Sequence, residues 1–371
     1  KKRIFNEILT FIQKLEKQFP EYFNLKFNTT APGILQLQQK LNSHTSLLSY
    51  FIDDRNNQLY IFQVTNRKFL ITSHSLPNNL NRLITGYRNS IYYREINTYQ
   101  STAEQLGELL VPDNIPSSIN QLVILPTGRL GIVPFESLLL RQTAISTSYK
   151  PLPYLIKKYA VRYEFAASLI LQKENTTPRP PSIMLCAPVS FEKDKLADLP
   201  GSEQEVTNIQ SLFEGKKLSA SLFTNSHASE QLIKSDKIKQ YNYLHFATHG
   251  IVDEQNPELS RIFLHADTES EDGHLYAGEI YNLTFQADLI TLSACQTGLG
   301  KISKGEGVIG LSRALIYAGA NHLVVSFWSV ADESTANLMT DFYQQVLTSS
   351  PADLSKHLRV AKLNLMQEPA Y

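Results

Sequence analysis

Residues 287–300 read ADLITLSACQTGLG, an apolar run that gives way to a glycine-punctuated loop with Cys295 at the junction. The run is short, aliphatic and closed by Gly298 and Gly300, which predicts a buried strand over 288–294 and a loop beyond it. A second stretch has the same shape. YNYLHFATHG, at 241–250, predicts a strand over 241–248 that delivers His249 immediately before Gly250. Around these two the pattern alternates: strand 183–187, helix 202–213, strand 218–223, helix 228–238, a strand at 261–265, helix 307–318, strand 322–328, then helices 331–347 and 352–367. Such alternation predicts an α/β fold with a mostly parallel sheet and helices on both faces. Ser202, with Glu205 three residues on, carries the signature of a capping box at the start of its helix.

In open parallel sheets, chemistry gathers beyond the carboxyl ends of the strands. If strands 241–248 and 288–294 are neighbours, the His249 imidazole and the Cys295 thiol meet there. That pair is a minimal apparatus for acyl transfer, because the imidazole takes the thiol proton and the thiolate attacks a carbonyl. The backbone amides of Gly250 and Cys295 are candidates for an oxyanion hole. Taken alone, a strand-end cysteine more often packs as a small hydrophobe, and a lone histidine is usually a packed or surface residue. It is their joint placement that favours the functional reading. Cys186, inside SIMLCAP with no polar loop beside it, reads as structural. His245 stands four residues before His249, a metal-ligand spacing on a helix but not on a strand with no third ligand in view, so no metal and no cofactor are expected.

The first half has its own organisation. Apolar positions Ile4, Ile8, Phe11, Ile12 and Leu15 recur at helical spacing before Pro20, so residues 1–20 are expected to form a helix that ends an upstream helical repeat module. LLSYFID and LYIFQVT, joined by DRNNQ, predict a hairpin; helices are expected around 78–93 and 102–111. QLVILPTG then predicts a strand running into a loop, with VPFESLLL opening a helix. The polar, proline-bearing run 173–182, KENTTPRPPS, is the linker that divides an α/β part at 21–180 from one at 181–371.

Composition narrows the function further. Lysine plus arginine equals aspartate plus glutamate at 35 each, so no global field draws nucleic acid or an anionic membrane, and direct nucleic-acid binding is not expected. Two cysteines make no disulfide framework, which points to a reducing, cytoplasmic setting, and no apolar run approaches a bilayer span. GLGKISKGEG has no phosphate-loop register, and GLSRA around Ser312 lacks the second glycine of a nucleophile elbow.

Taken together, LHFATHG, LITLSACQTGLG, GEGVIGLSRALIYAGANHLVVSFWSVAD and LMTDFYQQVL resemble the CHAT family, caspase-like cysteine peptidases often attached to tetratricopeptide repeats. LVILPTGRLGIVPFESLLL, YLIKKYAVRYEFAASLIL and LPGSEQEVTNI look like earlier blocks of the same family. The resemblance implies a caspase-hemoglobinase fold with His249 and Cys295 as its dyad, preceded by a degenerate pseudo-caspase α/β unit. It further implies a peptide groove beside the strand HLVVSFWSVAD, where Trp328 offers an apolar wall and Asp332 a negative charge. Trp328 as core and Asp332 as a helix cap stand as the plain structural alternatives. Relatives specific for basic residues often carry an acid two residues before the nucleophile; here that place is Ser293. The leading expectation is a cysteine endopeptidase acting on a protein substrate and activated by a regulatory protein partner or an upstream repeat module, in bacterial defence or signalling. The alternatives are an interaction scaffold with an unused dyad and a cysteine-dependent acyltransferase.

Overall fold

The computed structural model describes residues 31–140, 144–172, 179–253, 255–266, 271–293, 301–303, 307–328, 330–348 and 353–369. The expected helix before Pro20, most of the expected linker, and Cys295 lie outside the described residues.

Two five-stranded sheets organise the chain. The first contains β1 (Thr45–Asp53), β2 (Gln58–Thr65), β3 (Phe69–Ser75), β4 (Gln121–Leu125) and β5 (Ala160–Tyr163), in spatial order β3-β2-β1-β4-β5. The expected hairpin is β1 with β2, antiparallel, and its turn is set by Asp53, whose carboxylate accepts the N–H groups of Arg55 and Asn56. β1, β4 and β5 run parallel. Helices α1 (Leu80–Tyr92) and α2 (Ile96–Leu110) cover one face, with Leu83, Ile84, Tyr87, Ala103 and Leu106 buried against Leu48, Leu59, Ile61 and Ile124. Each such side chain contributes about 1.5–3 kcal/mol of apolar burial.

VPFESLLL does not open a helix. Only Phe135–Ser137 makes a short 3-10 turn, because the segment is consumed by tertiary contacts. Phe135, Leu138 and Leu139 are buried, the Tyr87 hydroxyl donates to the Pro134 carbonyl, and the Leu139 N–H donates to the Ala103 carbonyl of α2. The close approach of that loop to the helix occurs at Gly107, where any Cβ would overlap the Leu139 carbonyl.

The second sheet is wholly parallel. Its strands are β6 (Ser182–Ala187), β7 (Ser219–Thr224), β8 (Tyr243–Ala247), β12 (Leu289–Ser293) and β15 (Leu323–Val324), ordered β15-β12-β8-β6-β7. Between β8 and β12 the chain makes a small antiparallel sheet from β9 (Gly250–Ile251), β10 (Arg261–Phe263) and β11 (His274–Tyr276), and after β12 a hairpin of β13 (Lys301–Ser303) and β14 (Gly307–Ile309). The expected strand at 261–265 is therefore not a member of the main sheet. The expected strand 322–328 is also shorter than its apolar run, with only Leu323 and Val324 pairing.

Period-two alternation splits the sheet's two faces. Ile183, Leu185, Tyr243 and Leu289 face Val206, Ile209 and Phe213 of α3 (Pro200–Gly215), and Met339, Phe342 and Tyr343 of α5 (Asp332–Thr348). Met184, Cys186, Leu244, Phe246 and Ile290 face the other side with Leu311 and Leu315 of α4 (Leu311–Tyr317). A strand buried on both faces reads as an unbroken apolar run, as these do.

The last helix, α6 (Leu354–Leu365), joins the two sheets. Gln121 donates to Asp353 at 2.9 Å and to Ser355 at 2.7 Å, Arg359 donates to the Ile156 carbonyl at 2.6 Å, and Lys362 pairs with Glu136 at 2.8 Å. Beyond the end of β15, Phe327 packs on Tyr163 of β5 with ring centroids 5.2 Å apart. Between the edges β5 and β15 lies a cavity of about 680 Å³, lined by Arg162, Glu164, Ser293, Val325 and Trp328 among others.

Gly107→Ala is expected to destabilise the fold by about 3 kcal/mol, since two backbones must part to admit the methyl group. Gly86→Ala, in α1 with ordinary contact to Thr102, is expected to gain about 0.5–1 kcal/mol. Urea unfolding midpoints of the two variants check both.

Candidate active site

β8 and β12 are hydrogen-bonded neighbours, with Tyr243 to Ala247 in register with Leu289 to Ser293. Their carboxyl ends therefore open side by side. On the β8 side Thr248 is buried and donates to the Phe263 carbonyl, which fixes the chain's exit from the sheet. His249 follows, half-buried, and Gly250 enters β9 opposite Ile262. On the β12 side the last described residue is Ser293, and Cys295, Gly250's expected partner in the oxyanion hole, lies outside the described residues.

The His249 ring is held by the loop between β6 and α3. Its Nε2 lies 2.7 Å from the Ala197 carbonyl oxygen, and the Phe191 ring stands edge-on to it at 4.6 Å. A carbonyl oxygen only accepts, so the contact requires the proton on Nε2 and leaves the Nδ1 lone pair as the base of the neutral ring. Nothing in the sequence announces a backbone carbonyl as a partner, and neither Phe191 nor Ala197 was expected at the site.

Beneath the strand ends runs a buried polar network. The Ser293 hydroxyl donates to Glu205 Oε2 at 3.0 Å, and Glu205 Oε1 stands 2.8 Å from His245 Nε2, within ion-pair reach though too oblique for a hydrogen bond. His245 Nδ1 is 3.3 Å from the Tyr343 hydroxyl, which is 2.9 Å from Thr291 Oγ1. Burial drives the Tyr343 phenol well above its ordinary range, so it stays a neutral hydrogen-bonding group. The capping box expected of Ser202 and Glu205 is thereby corrected: the helix begins at Pro200, Ser202 donates to the Leu199 carbonyl, and the Glu205 carboxylate turns inward to accept from Ser293 and to stand beside His245 Nε2. A histidine in the middle of a buried strand was the available signal for such a partner.

His245 and His249 take different surroundings. The first packs on Tyr343 within the helix-covered face; the second lies past the strand against Phe191. Among the described residues no group of three His, Cys, Asp or Glu side chains is placed to hold a metal. Trp328 falls in a bend past β15, half-buried, lining the cavity between the sheets and a smaller one of about 210 Å³ that includes Arg129 and Tyr92. Asp332 is the first residue of α5. Cys186 is fully buried in β6, and burial pushes its thiol up to about 12, so it stays protonated at neutral pH.

A parallel sheet that opens two neighbouring strand ends onto a histidine loop, beside a second, mixed sheet, is a caspase-like α/β arrangement. Residues 100–371 match the CHAT domain, and the chain belongs to the CHAT domain family. No curated protein matches its sequence. Two structures of the Saccharomyces cerevisiae separase–securin complex contain a chain that superposes with TM-scores of 0.50 and 0.52 at 10% identity, over 90% and 88% of this chain. This chain spans less than a third of that one, 30% and 29%. The Arg-specific cysteine proteinase gingipain R is similar at a TM-score of 0.42 and 9% identity, over 73% of this chain and 63% of its own. At 10% identity the likeness to the separase chain is one of fold.

Glu205→Ala is expected to cost about 1–3 kcal/mol, the penalty for stranding the Ser293 hydroxyl and the His245 ring without an acceptor. Glu205→Gln, which keeps the shape and one carbonyl oxygen, is expected to cost less; thermal unfolding of the pair makes the comparison.

Proposed function

We propose that the chain is a cysteine endopeptidase of the CHAT type, with His249 and Cys295 as its dyad. The single observation that carries this reading is the pairing of β8 with β12, whose carboxyl ends lead directly into the segments bearing the two residues. The Cys295 thiol passes its proton to His249, and the thiolate attacks the scissile carbonyl. The amides of Gly250 and Cys295 receive the oxygen's developing charge. His249 then protonates the departing amine, and a water, deprotonated by the same ring, cleaves the thioester to release the acid and restore the thiol.

The cavity between the sheets supports an extended-peptide substrate. The edge of β15 offers backbone groups for strand addition, and the cavity's Trp328 an apolar wall and Ser293 a polar group; Asp332, the first residue of α5, is proposed as the charge of the first specificity pocket. In this reading residues 181–371 are the catalytic part and 21–180 a non-catalytic pseudo-caspase-like unit that supports it. The separase chain is seen in complex with securin. A regulatory protein partner, or an upstream repeat module, is proposed here too, acting in the cytoplasm in bacterial defence or signalling. Among the described residues no helix is long and apolar enough to cross a membrane.

Digestion of a broad peptide library, read by mass spectrometry of the products, tests the activity. Cys295→Ala and His249→Ala are each expected to lower kcat/KM by on the order of 10³-fold or more, because dyad members act as a unit, whereas Cys186→Ala leaves it nearly intact. Intact protein treated with iodoacetamide at neutral pH is expected to be alkylated at Cys295 and not at Cys186; the reverse labelling overturns the assignment. Asp332→Asn is expected to reduce cleavage after lysine or arginine relative to neutral residues by about 10–100-fold, the equivalent of a charge-assisted hydrogen bond of ~1.5–3 kcal/mol. An unchanged ratio leaves Asp332 as the first residue of α5 with no part in specificity.

A further inference from the structure

The loop at 188–199 does more than join β6 to α3. It carries two groups that touch the His249 ring, the Phe191 edge and the Ala197 carbonyl. Its own backbone is strained at two places: Val189 has φ +66° and Lys195 φ +56°. Left-handed backbone is unfavourable for a non-glycine residue, and a β-branched residue there is a rarity. Such a conformation persists only where surrounding contacts over-determine it.

Two of those contacts lie inside the loop. The Phe191 N–H donates to Asp198 at 3.1 Å, and the Leu199 N–H to the Val189 carbonyl at 2.9 Å. The external tether is a pair: His274 Nε2 lies 2.7 Å from Asp194 Oδ1, and the neighbouring Lys193 donates to the Asp272 carbonyl at 3.3 Å. His274 is itself fixed from every side. Its ring stands edge-on to Phe263 at 4.9 Å, its Nδ1 is 3.3 Å from the Tyr276 hydroxyl and 3.7 Å from the Asp272 carboxylate, and the Arg261 guanidinium lies over the rings of Phe263 and Tyr276. This anchor sits in β11, which pairs with β10, and β10 pairs with β9, the strand that begins at Gly250 directly after His249. One histidine thus ties down the loop above the His249 ring from the small sheet into which His249 leads.

We propose that His274 is a positioning residue which, through Asp194, holds the 188–199 loop so that the Ala197 carbonyl keeps the proton of neutral His249 on Nε2 and its Nδ1 free to act as the base. The catalytic meaning of this rests on the peptidase reading above; the tautomer does not. The test uses the full chain labelled with ¹⁵N-histidine, the His249 signal being assigned by its loss in His249→Gln, and reads the tautomer from two-bond ¹H–¹⁵N correlations at a pH where the ring is neutral. In the unaltered protein His249 is expected to be the Nε2–H form. His274→Gln and Asp194→Ala are each expected to convert a substantial fraction to Nδ1–H, and Asp194→Asn, which keeps an acceptor oxygen, to convert less. On cleaved peptides His274→Gln is expected to lower kcat on the order of 10-fold with KM nearly unchanged. Retention of the full Nε2–H population in both His274→Gln and Asp194→Ala overturns the proposal, and so does an Nδ1–H ring in the unaltered protein. Asp194 is on the surface loop, so its variants report even where His274→Gln does not fold. An unaltered protein that cleaves nothing, yet shows the tautomer shift, overturns the peptidase reading and leaves the positioning role standing.

Discussion

The parallel pairing of β8 with β12 is the constraint on which everything else hangs. Both strands are buried on two faces, so their polar termini have one way out, and it is shared. Helices α3 and α5 cover one side and α4 the other. The same packing makes any polar group inside it costly. Glu205, His245, Tyr343 and Thr291 meet there as one network, because each alone is an uncompensated donor or acceptor in an apolar medium. Ser293 links that network to the carboxyl end of β12.

What could be read from the residues follows from how locally each feature is specified. The central strands β6, β8 and β12 were legible because doubly buried strands are mostly apolar and are closed by glycine or polar loops. β3 was not, since FLITSHS is an edge strand with most of its side chains in solvent, and β5, AVRY, is too short to show a period. VPFESLLL has helical composition, but the contact of Leu139 with α2 outweighs propensity. Glu205 was misassigned for a related reason. Its spacing from Ser202 is a local signal, whereas Ser293, its true partner, is 88 residues away and only the fold brings them together. The clamp on His249 was illegible in principle, because a carbonyl of Ala197 carries no side-chain identity.

The first sheet is not a bystander to this arrangement. Val252, just beyond β9, and Phe327, just beyond β15, are among the places where the second half settles on the core of the first. Val252 follows His249 and Phe327 precedes Trp328, so segments flanking the opening rest on the first sheet's core. Tyr163 shows how firmly that surface is set: its hydroxyl accepts the Phe135 N–H at 2.9 Å while its ring meets Phe327.

The seam closed by α6 also bears on how the chain comes into being. Gln121 waits for Asp353, a partner 232 residues further along. Synthesis at cellular elongation rates separates the two by roughly 10–50 s, far longer than a small sheet takes to form. During that interval β5 is an uncovered edge and the cavity has only one wall. The opening beside β15 therefore closes only after residues of both sheets have been made, when Asp353 reaches Gln121.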